Sequence, residues 1–167
     1  MRRPLKLLVD CNVWIDSYMA LHRHHEESLR FVNEALNAGC ELLYGASKLE
    51  TTFNVIHADA KRVIRADKGE VNEFDAEFAL RFAWACVENM EEIATAIAVD
   101  ASDLWLARKY RRFHKDLEDN VLLASAHRSE ADYVVTWDEA LLRDASALVR
   151  AVTPTTMLTV LQSDDEE

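Results

Sequence analysis

Short apolar runs alternate along this chain with longer segments in which apolar residues recur at helical spacing, and this alternation most constrains its fold. The apolar runs predict strands at residues 5–9, 41–44, 94–99, 133–136 and 148–152. Strands that are separated by helices pair in parallel, and the helices then cover both faces of the sheet. The sequence therefore predicts an α/β protein built on a parallel sheet.

Local signals mark where the predicted helices begin and end. Helical spacing covers residues 26–37, 47–65, 71–90, 139–145 and 153–162, and two further helices begin at Asp100 or Ser102 and at Glu118 or Asp119. Gly39 favours a helix stop, and Pro154 suits a first helical turn. The two long helices between residues 47 and 90 are expected to form a hairpin on one side.

Composition indicates a folded chain without a membrane span. Half of the 167 residues are hydrophobic, and no apolar stretch approaches the ~18 residues that cross a bilayer. We expect one domain over residues 1–162 and an acidic, disordered tail over 163–167, and we interpret the N-terminal segment as a strand rather than a secretory signal. The odd cysteine count without C-x-x-C spacing indicates reduced thiols and a cytoplasmic protein.

The net charge of −11 argues against broad, non-specific binding to nucleic acid. It does not exclude a nuclease, because clustered carboxylates contribute part of that charge and bound metal ions would reverse its sign locally. A single basic stretch, R-K-Y-R-R at residues 108–112 followed by a lysine, provides candidate RNA phosphate contacts or, equally, a solvated helix face. The candidates are Arg108, Arg111, Arg112 and Lys115.

Four acidic residues occupy positions where an α/β fold builds its ligand site. Asp10 and Asp138 follow predicted strands, whereas Glu50 and Asp119 lie near predicted helix starts. Ligands of such folds bind beyond the carboxyl ends of the strands, where strand order reverses. Crowded carboxylates repel one another, and hard divalent cations choose oxygen ligands. The four residues therefore predict a site for one or two Mg²⁺ or Mn²⁺ ions and metal-assisted phosphodiester chemistry.

Each of these acids also has a structural alternative. Ser47 and Glu50 have capping-box spacing, so Glu50 could serve the start of a helix. Asp119 and Asp138 could each cap the helix that follows. In the stretch K-D-L-E-D, Asp116 and Glu118 compete with Asp119 for the inward position.

Two uncharged residues, Asn12 and Thr136, lie beside the proposed ligands, and we expect each to orient a carboxylate by hydrogen bonding. The histidines at residues 22–25 suggest a zinc site, but no further Cys or His supports it, so a loop or helix start is the favoured interpretation. The other histidines, His114 among them, are expected to be structural. Trp137 lies between two candidate site residues and could line an RNA cleft, although tryptophans more often belong to a core or an interface.

Several motifs together resemble the PIN-domain ribonucleases, and most closely the VapC-type toxins of bacterial toxin–antitoxin pairs. The matching pieces, in order, are V-D-C-N-V at residues 9–13, the mid-chain Glu50, D-N-V-L-L-A-S-A at 119–126, T-W-D at 136–138 and V-T-P at 152–154. The resemblance covers nearly the whole chain. Two departures are a longer helical segment at residues 67–93 and the absence of an acidic residue after Pro154.

The resemblance implies a three-layer α/β/α fold with a five-stranded parallel sheet. It also implies an endoribonuclease whose divalent metal is held by Asp10, Glu50, Asp119 and Asp138, a cognate antitoxin and a homodimer. A PIN-fold binding or assembly protein with little catalysis is the alternative. A phosphatase of the haloacid-dehalogenase type would need a second aspartate two residues after Asp10, where this chain has Asn12.

Overall fold

The structure is a computed structural model that describes residues 3–145 and 148–164. Within these ranges, five strands form one sheet in the order β3-β2-β1-β4-β5, and every neighbouring pair is parallel. The strands are β1 (Lys6–Val9), β2 (Glu41–Gly45), β3 (Thr95–Ile97), β4 (Tyr133–Val135) and β5 (Ala151–Val152). The predicted α/β class with a five-stranded parallel sheet is therefore confirmed.

Helices connect and follow these strands. In the described ranges they are α1 (Cys11–Tyr18), α2 (His25–Asn37), α3 (Leu49–Lys68), α4 (Glu73–Ile93), α5 (Ala101–Tyr110), α6 (Leu117–Arg128), α7 (Glu139–Asp144) and α8 (Pro154–Asp164). Residues 165–167 of the predicted acidic tail lie outside the described residues, while residues 163 and 164 continue α8. None of the described helices is long and apolar enough to cross a membrane.

The sheet separates two apolar layers. Successive side chains of a strand point to opposite faces, and in β1 Leu7 and Val9 pack with the residues of α1, α2 and α8. Leu8 points the other way and packs with residues of α5, α6 and α7. This arrangement is the predicted three-layer α/β/α architecture.

The hairpin of α3 and α4 packs on α1 through Ile15, Ile56 and Ala83. The apolar residues of α4 do not all lie on one face, because Phe74 and Phe78 are exposed whereas Met90 is buried. Residues spaced four apart drift by about 40° per step around a helix of 3.6 residues per turn. Phe74 and Met90 are therefore roughly 160° apart and belong to different faces.

Some helix ends lie where the sequence predicted them, and others do not. Gly39 ends α2 with φ +72°, and the Cys40 N–H donates to the Ala35 carbonyl at 2.9 Å in a Schellman arrangement. The start of α3 differs from the prediction, because a 3-10 turn (Ala46–Lys48) precedes it and Ser47 caps nothing. Helix α1, which was not predicted, is short and begins directly after β1.

Candidate active site

The sheet order reverses between β1 and β4, and the polar residues that follow these strands form one hydrogen-bonded network. Asp10 follows β1 and is 4% exposed, and Thr136 follows β4 and is fully buried. The connections leave β1 and β4 in opposite directions, so a crevice opens between them at the carboxyl ends of the strands.

Thr136 is the centre of this network. Its hydroxyl donates to Asp10 Oδ2 at 2.8 Å and accepts from Asn12 Nδ2 and from the Asp138 backbone N–H, both at 3.0 Å. Asn12 Nδ2 donates to the same Asp10 oxygen at 3.0 Å. The hydroxyl thus uses its one donor and both lone pairs. Asn12 and Thr136 hold Asp10 in one orientation, as the sequence predicted for these two residues.

Asp10 and Asp138 are both helix caps. Asp10 Oδ1 accepts from the Cys11 N–H at 2.7 Å at the start of α1, and Asp138 Oδ1 accepts from the Leu141 N–H at 2.8 Å in α7. The capping alternative therefore applies to Asp138, and it also applies to Asp10. Capping leaves the second oxygen of Asp138 without a hydrogen bond from the described residues, so that oxygen can serve a ligand.

Asp119 lies in the first turn of α6 and does not cap it. The cap is Asp116, whose Oδ1 accepts from the backbone N–H groups of Glu118 and Asp119. The prediction that α6 begins at Glu118 or Asp119 is wrong by one or two residues for this reason. Burial raises the pKa of the Asp119 carboxyl, a hydrogen bond with His114 opposes that rise, and the negative charge of Asp10 adds to it. The negative charge of Asp10 is thus near enough to disfavour ionisation of Asp119, as expected between crowded carboxylates.

His114 contacts the candidate ligand Asp119, a contact that the sequence did not predict. It is 5% exposed and bridges two carboxylates, with Nε2 at 2.9 Å from Asp119 Oδ2 and Nδ1 at 3.0 Å from Asp144 Oδ2. Burial alone would lower the pKa of His114, but its hydrogen bonds with Asp144 and Asp119 raise the pKa overall. This His114 bridge joins the α5–α6 connection to α6 and to the end of α7. No local pattern signals it, because Asp144 is 30 residues away.

Lys48 is a second residue that the sequence did not single out. Its side chain is buried beside the carboxylates, with Nζ at 2.7 Å from Glu118 Oε1. Burial lowers the pKa of Lys48, but the hydrogen bond with Glu118 and the negative charges of Asp10 and Glu118 raise it overall. The positive charge of Lys48 in turn lowers the pKa of Asp119. A buried ammonium is thus an internal counter-ion for this acidic cluster.

The side chain of Glu50 makes no hydrogen bond or ion pair with the described residues, unlike the other three acids. It is exposed in the first turn of α3, and it forms no capping box, because residue 48 is the helix cap and makes no side-chain cap bond. Among the described residues, no group of three or more His, Cys, Asp or Glu side chains is arranged to hold a metal ion. The candidate ligands all offer carboxylate oxygens, a type of donor that suits a hard divalent cation.

The zinc alternative at residues 22–25 has no support within the described ranges. His22 instead bridges Asp16 and Asp59, with ring nitrogens 2.7 Å and 3.0 Å from their carboxylate oxygens. The His24 ring stacks on Trp137 with 4.1 Å between centroids, and the Trp137 indole N–H donates to Ser28 Oγ at 2.8 Å. One face of Trp137 is therefore already covered, and the ring supports the segment that carries Asp138.

The residues predicted to contact RNA lie in the last turn of α5 and in the connection that follows it. Arg108, Arg111, Arg112 and Lys115 are all exposed. The chain then reaches His114 and α6, so this basic segment leads directly to the residue that holds Asp119. The structure thus places the four side chains at the surface.

Neither a protein-family model nor a curated protein sequence matches this chain. Solved structures do match its fold. The chain is similar to Mycobacterium tuberculosis VapC20, a sarcin–ricin-loop-cleaving toxin, at 14% identity, with 84% of this chain and 94% of that chain covered and a TM-score of 0.58. It is also similar to VapBC2 from Rickettsia felis bound to a promoter DNA fragment, at 9% identity, 89% and 98% coverage and a TM-score of 0.57.

DNA-bound VapBC from Salmonella typhimurium is a third similar structure, at 16% identity, with 90% of this chain and 98% of that chain covered and a TM-score of 0.53. The strand order, the helical layers and these neighbours agree on one architecture. The chain has the PIN-like fold of the VapC toxins.

Proposed function

We propose that this protein is a metal-dependent endoribonuclease of the VapC type. The observation that carries the proposal is the buried carboxylate of Asp10, held by Asn12 and Thr136 at the switch point of the sheet. Asp138 is tied to the same network, and Asp119 lies within its electrostatic reach. A site of this kind gathers oxygen donors at the position where α/β folds bind their ligands.

One or two Mg²⁺ or Mn²⁺ ions would be held by Asp10, Glu50, Asp119 and Asp138. When bound, such an ion lowers the pKa of a water and neutralises charge on a phosphate. Asn12 and Thr136 keep Asp10 oriented towards the crevice. Glu50, which is exposed, would help to hold the ion and is also suited to accept a proton from water.

RNA would approach along the basic segment. Arg108, Arg111, Arg112 and Lys115 offer exposed cations to phosphates, while the rest of this acidic chain repels them. Binding should therefore rely on a few contacts and on RNA shape, which limits cleavage to few sites.

The direct test compares wild type, Asp10→Asn and Asp75→Asn on total cellular RNA, with Mn²⁺ or EDTA and with any co-purified protein removed. Asp75 is the matched control, because it is as buried as Asp10 but lies in the first turn of α4, where it completes the capping box with Asn72 and pairs with Lys68. We expect cleavage by wild type and Asp75→Asn with metal, and none by Asp10→Asn or in EDTA. Identical cleavage patterns for wild type and Asp10→Asn would refute the nuclease proposal.

A binding or assembly protein with the same fold is the second candidate. The observation that favours it is the position of Glu50, which has no hydrogen bond or ion pair with the described residues and stands outside the network. This candidate predicts that wild type leaves RNA intact at every metal concentration, so the same experiment separates the two.

An antitoxin is the partner that we propose. The Rickettsia and Salmonella structures similar to this chain are toxin–antitoxin assemblies bound to DNA. The proposal predicts a small neighbouring reading frame for a DNA-binding protein that co-purifies with this chain and inhibits it. Cleavage that is unaffected by that protein would exclude this partnership.

We further propose a homodimer in the cytoplasm through the exposed apolar face of the α3–α4 hairpin. A groove of about 310 Å³ there is lined by Leu21, Ile64, Phe78 and Phe82 among others, and Leu21 and Phe78 are exposed. Sedimentation velocity should show a dimer at tens of micromolar, and Phe78→Ser should yield monomer. A wild-type monomer under these conditions would contradict the proposal.

A further inference from the structure

A groove runs along the C-terminal end of α5, outside the acidic network. Its volume is about 750 Å³, within the range of pockets that hold a ligand the size of a nucleotide. Two aromatic residues that line it are exposed, Trp105 by 55% and Phe113 by 40%. Arg108, Arg111 and Arg112 line the same groove.

The charge of this groove is opposite to that of the whole chain. None of its described lining residues is acidic, although the chain carries a net charge of −11. Lys109 and the three arginines make no ion pair with the described residues. The lysine and arginine ion pairs in the described ranges involve Arg3, Lys6, Lys48, Arg62, Lys68, Arg81, Arg128 and Arg143. The groove thus concentrates unneutralised positive charge and attracts a polyanion.

Cations and aromatic rings are interleaved in this groove. Lys109 Nζ lies over the Trp105 ring at 5.1 Å from its centroid, and Arg112 Cζ lies over the Phe113 ring at 4.6 Å. Each pair presents a flat π surface next to a positive charge. Single-stranded nucleic acids offer the complementary pair, an unstacked base beside a phosphate. In a duplex the bases are stacked on one another and have no open face for an aromatic side chain.

The groove is also connected to the acidic network. Phe113 lines the groove, and the next residue, His114, contacts Asp119 at 2.9 Å. A strand whose bases lie on Trp105 and Phe113 would therefore contact the segment that leads to the His114–Asp119 pair. An acidic peptide would match the charge, but it would leave the exposed aromatic faces without a planar partner.

We propose that this α5 groove is a site for single-stranded RNA, in which Trp105 and Phe113 stack on unpaired bases and Arg108, Arg111 and Arg112 contact the flanking phosphates. The choice of RNA rests on the proposed ribonuclease function. The groove would bind unpaired nucleotides of the substrate in preference to duplex RNA.

The test measures the affinity of a short, fluorescently labelled single-stranded RNA by anisotropy, in EDTA and on the Asp10→Asn protein, so that no cleavage occurs. Trp105→Leu should bind between about 5-fold and 100-fold more weakly, because stacking on one aromatic side chain contributes that much per base. Trp84→Leu is the matched control, since Trp84 is exposed to nearly the same extent as Trp105, at 53%, but lies on α4 outside the groove. There its ring packs against Phe53 of α3. Trp84→Leu should bind as the parent protein does, and the same RNA in a duplex should bind more weakly than the single strand.

Two further variants separate stacking from charge. Phe113→Leu should weaken binding as Trp105→Leu does, and RNA should quench tryptophan fluorescence in the Trp84→Leu protein but not in the Trp105→Leu protein. Arg112→Ala should reduce the slope of log affinity against log salt by about 1. Circular dichroism establishes that each variant is folded.

The proposal is overturned if Trp105→Leu and Trp84→Leu bind RNA equally, or if the duplex binds as tightly as the single strand. Polyglutamate that binds the groove when single-stranded RNA does not would assign it to an acidic protein partner instead. If Trp105→Leu loses RNA binding but wild type never cleaves RNA with Mn²⁺, the groove stands and the nuclease proposal fails. If wild type cleaves and Trp105→Leu binds and cleaves equally well, the nuclease proposal stands and the groove fails.

Discussion

Two histidines of this protein make the same contacts in different places. His22 bridges Asp16 and Asp59, and His114 bridges Asp144 and Asp119, each through both ring nitrogens at 2.7–3.0 Å. The His22 bridge connects the loop after α1 to α1 and α3. The His22 side chain is 23% exposed, whereas the His114 side chain is 6% exposed. Of the two bridges, only the His114 bridge ends on a proposed metal ligand, Asp119. The same local chemistry thus supports helix packing in one region and positions a proposed ligand in the other.

The largest difference between the bridges should appear when one carboxylate of each is neutralised. Asp119→Asn should reduce RNA cleavage by more than about 100-fold, the upper end of effects from residues around a metal. Asp59→Asn removes the corresponding charge from the His22 bridge and should leave the cleavage rate within a few-fold of wild type. Single-turnover cleavage at saturating Mn²⁺ measures both, and equal losses would show that the two bridges do not differ in function.

Replacing the histidines should have a smaller effect on cleavage. His114→Gln should slow cleavage by about 10–100-fold, because a glutamine amide holds only one of the two carboxylates and Asp119 loses its orientation. His22→Gln should leave cleavage unchanged. Both variants should lose on the order of 1–3 kcal/mol of unfolding free energy, since each leaves a carboxylate without its hydrogen bond.

Urea unfolding measures that loss of stability beside the cleavage rate. If His22→Gln slows cleavage as much as His114→Gln at equal loss of stability, His114 has only a structural role.

Metal binding should distinguish the same two regions. Free Mn²⁺ at 100 times its dissociation constant stabilises a protein by about 2.7 kcal/mol, or roughly 5–10 °C for a domain of this size. Wild type and Asp59→Asn should show this rise in melting temperature over EDTA, and Asp119→Asn should show less. The same rise in all three proteins would place the metal elsewhere.

The smallest expected effect is a pH dependence of stability. The pKa of His114 is raised in the folded state, so its contribution is fully present below the ordinary histidine pKa of about 6.5 and is lost as pH rises through the folded value. In EDTA, the difference in unfolding free energy between wild type and His114→Gln should therefore shrink with rising pH above that point. Urea unfolding from pH 6 to pH 9 checks this, and a difference that grows with pH would contradict the assigned direction.

Some elements of the fold could be predicted from the sequence, and others could not. The strands and the start of α8 at Pro154 follow from short-range patterns, and so did the expected position of Asp10 at the end of β1. The start of α3 was misjudged, because Ser47 and Glu50 have the spacing of a capping box that the backbone does not form. Spacing identifies which bonds are sterically available, whereas packing decides which bonds form.

Some residues of the candidate site could be predicted from sequence motifs, and others could not. Asp10, Asn12, Thr136 and Asp138 come from two segments that each carry a recognisable motif, and a parallel sheet brings the ends of such segments together. Lys48 and His114 lie in no motif. Their partners are 70 and 30 residues away, as the pairs Lys48–Glu118 and His114–Asp144 show.

By itself, the sequence determined the α/β class, the parallel sheet and the positions of acidic residues at strand and helix ends, because these depend on neighbours within a few residues. Only the tertiary structure decided that Lys48 is buried beside the carboxylates, that His114 holds Asp119, and that Trp105 and Phe113 are exposed among unneutralised arginines. Burial and charge pairing depend on which distant segments meet. The physical reason is that an electrostatic interaction follows distance in space, which a linear pattern does not contain.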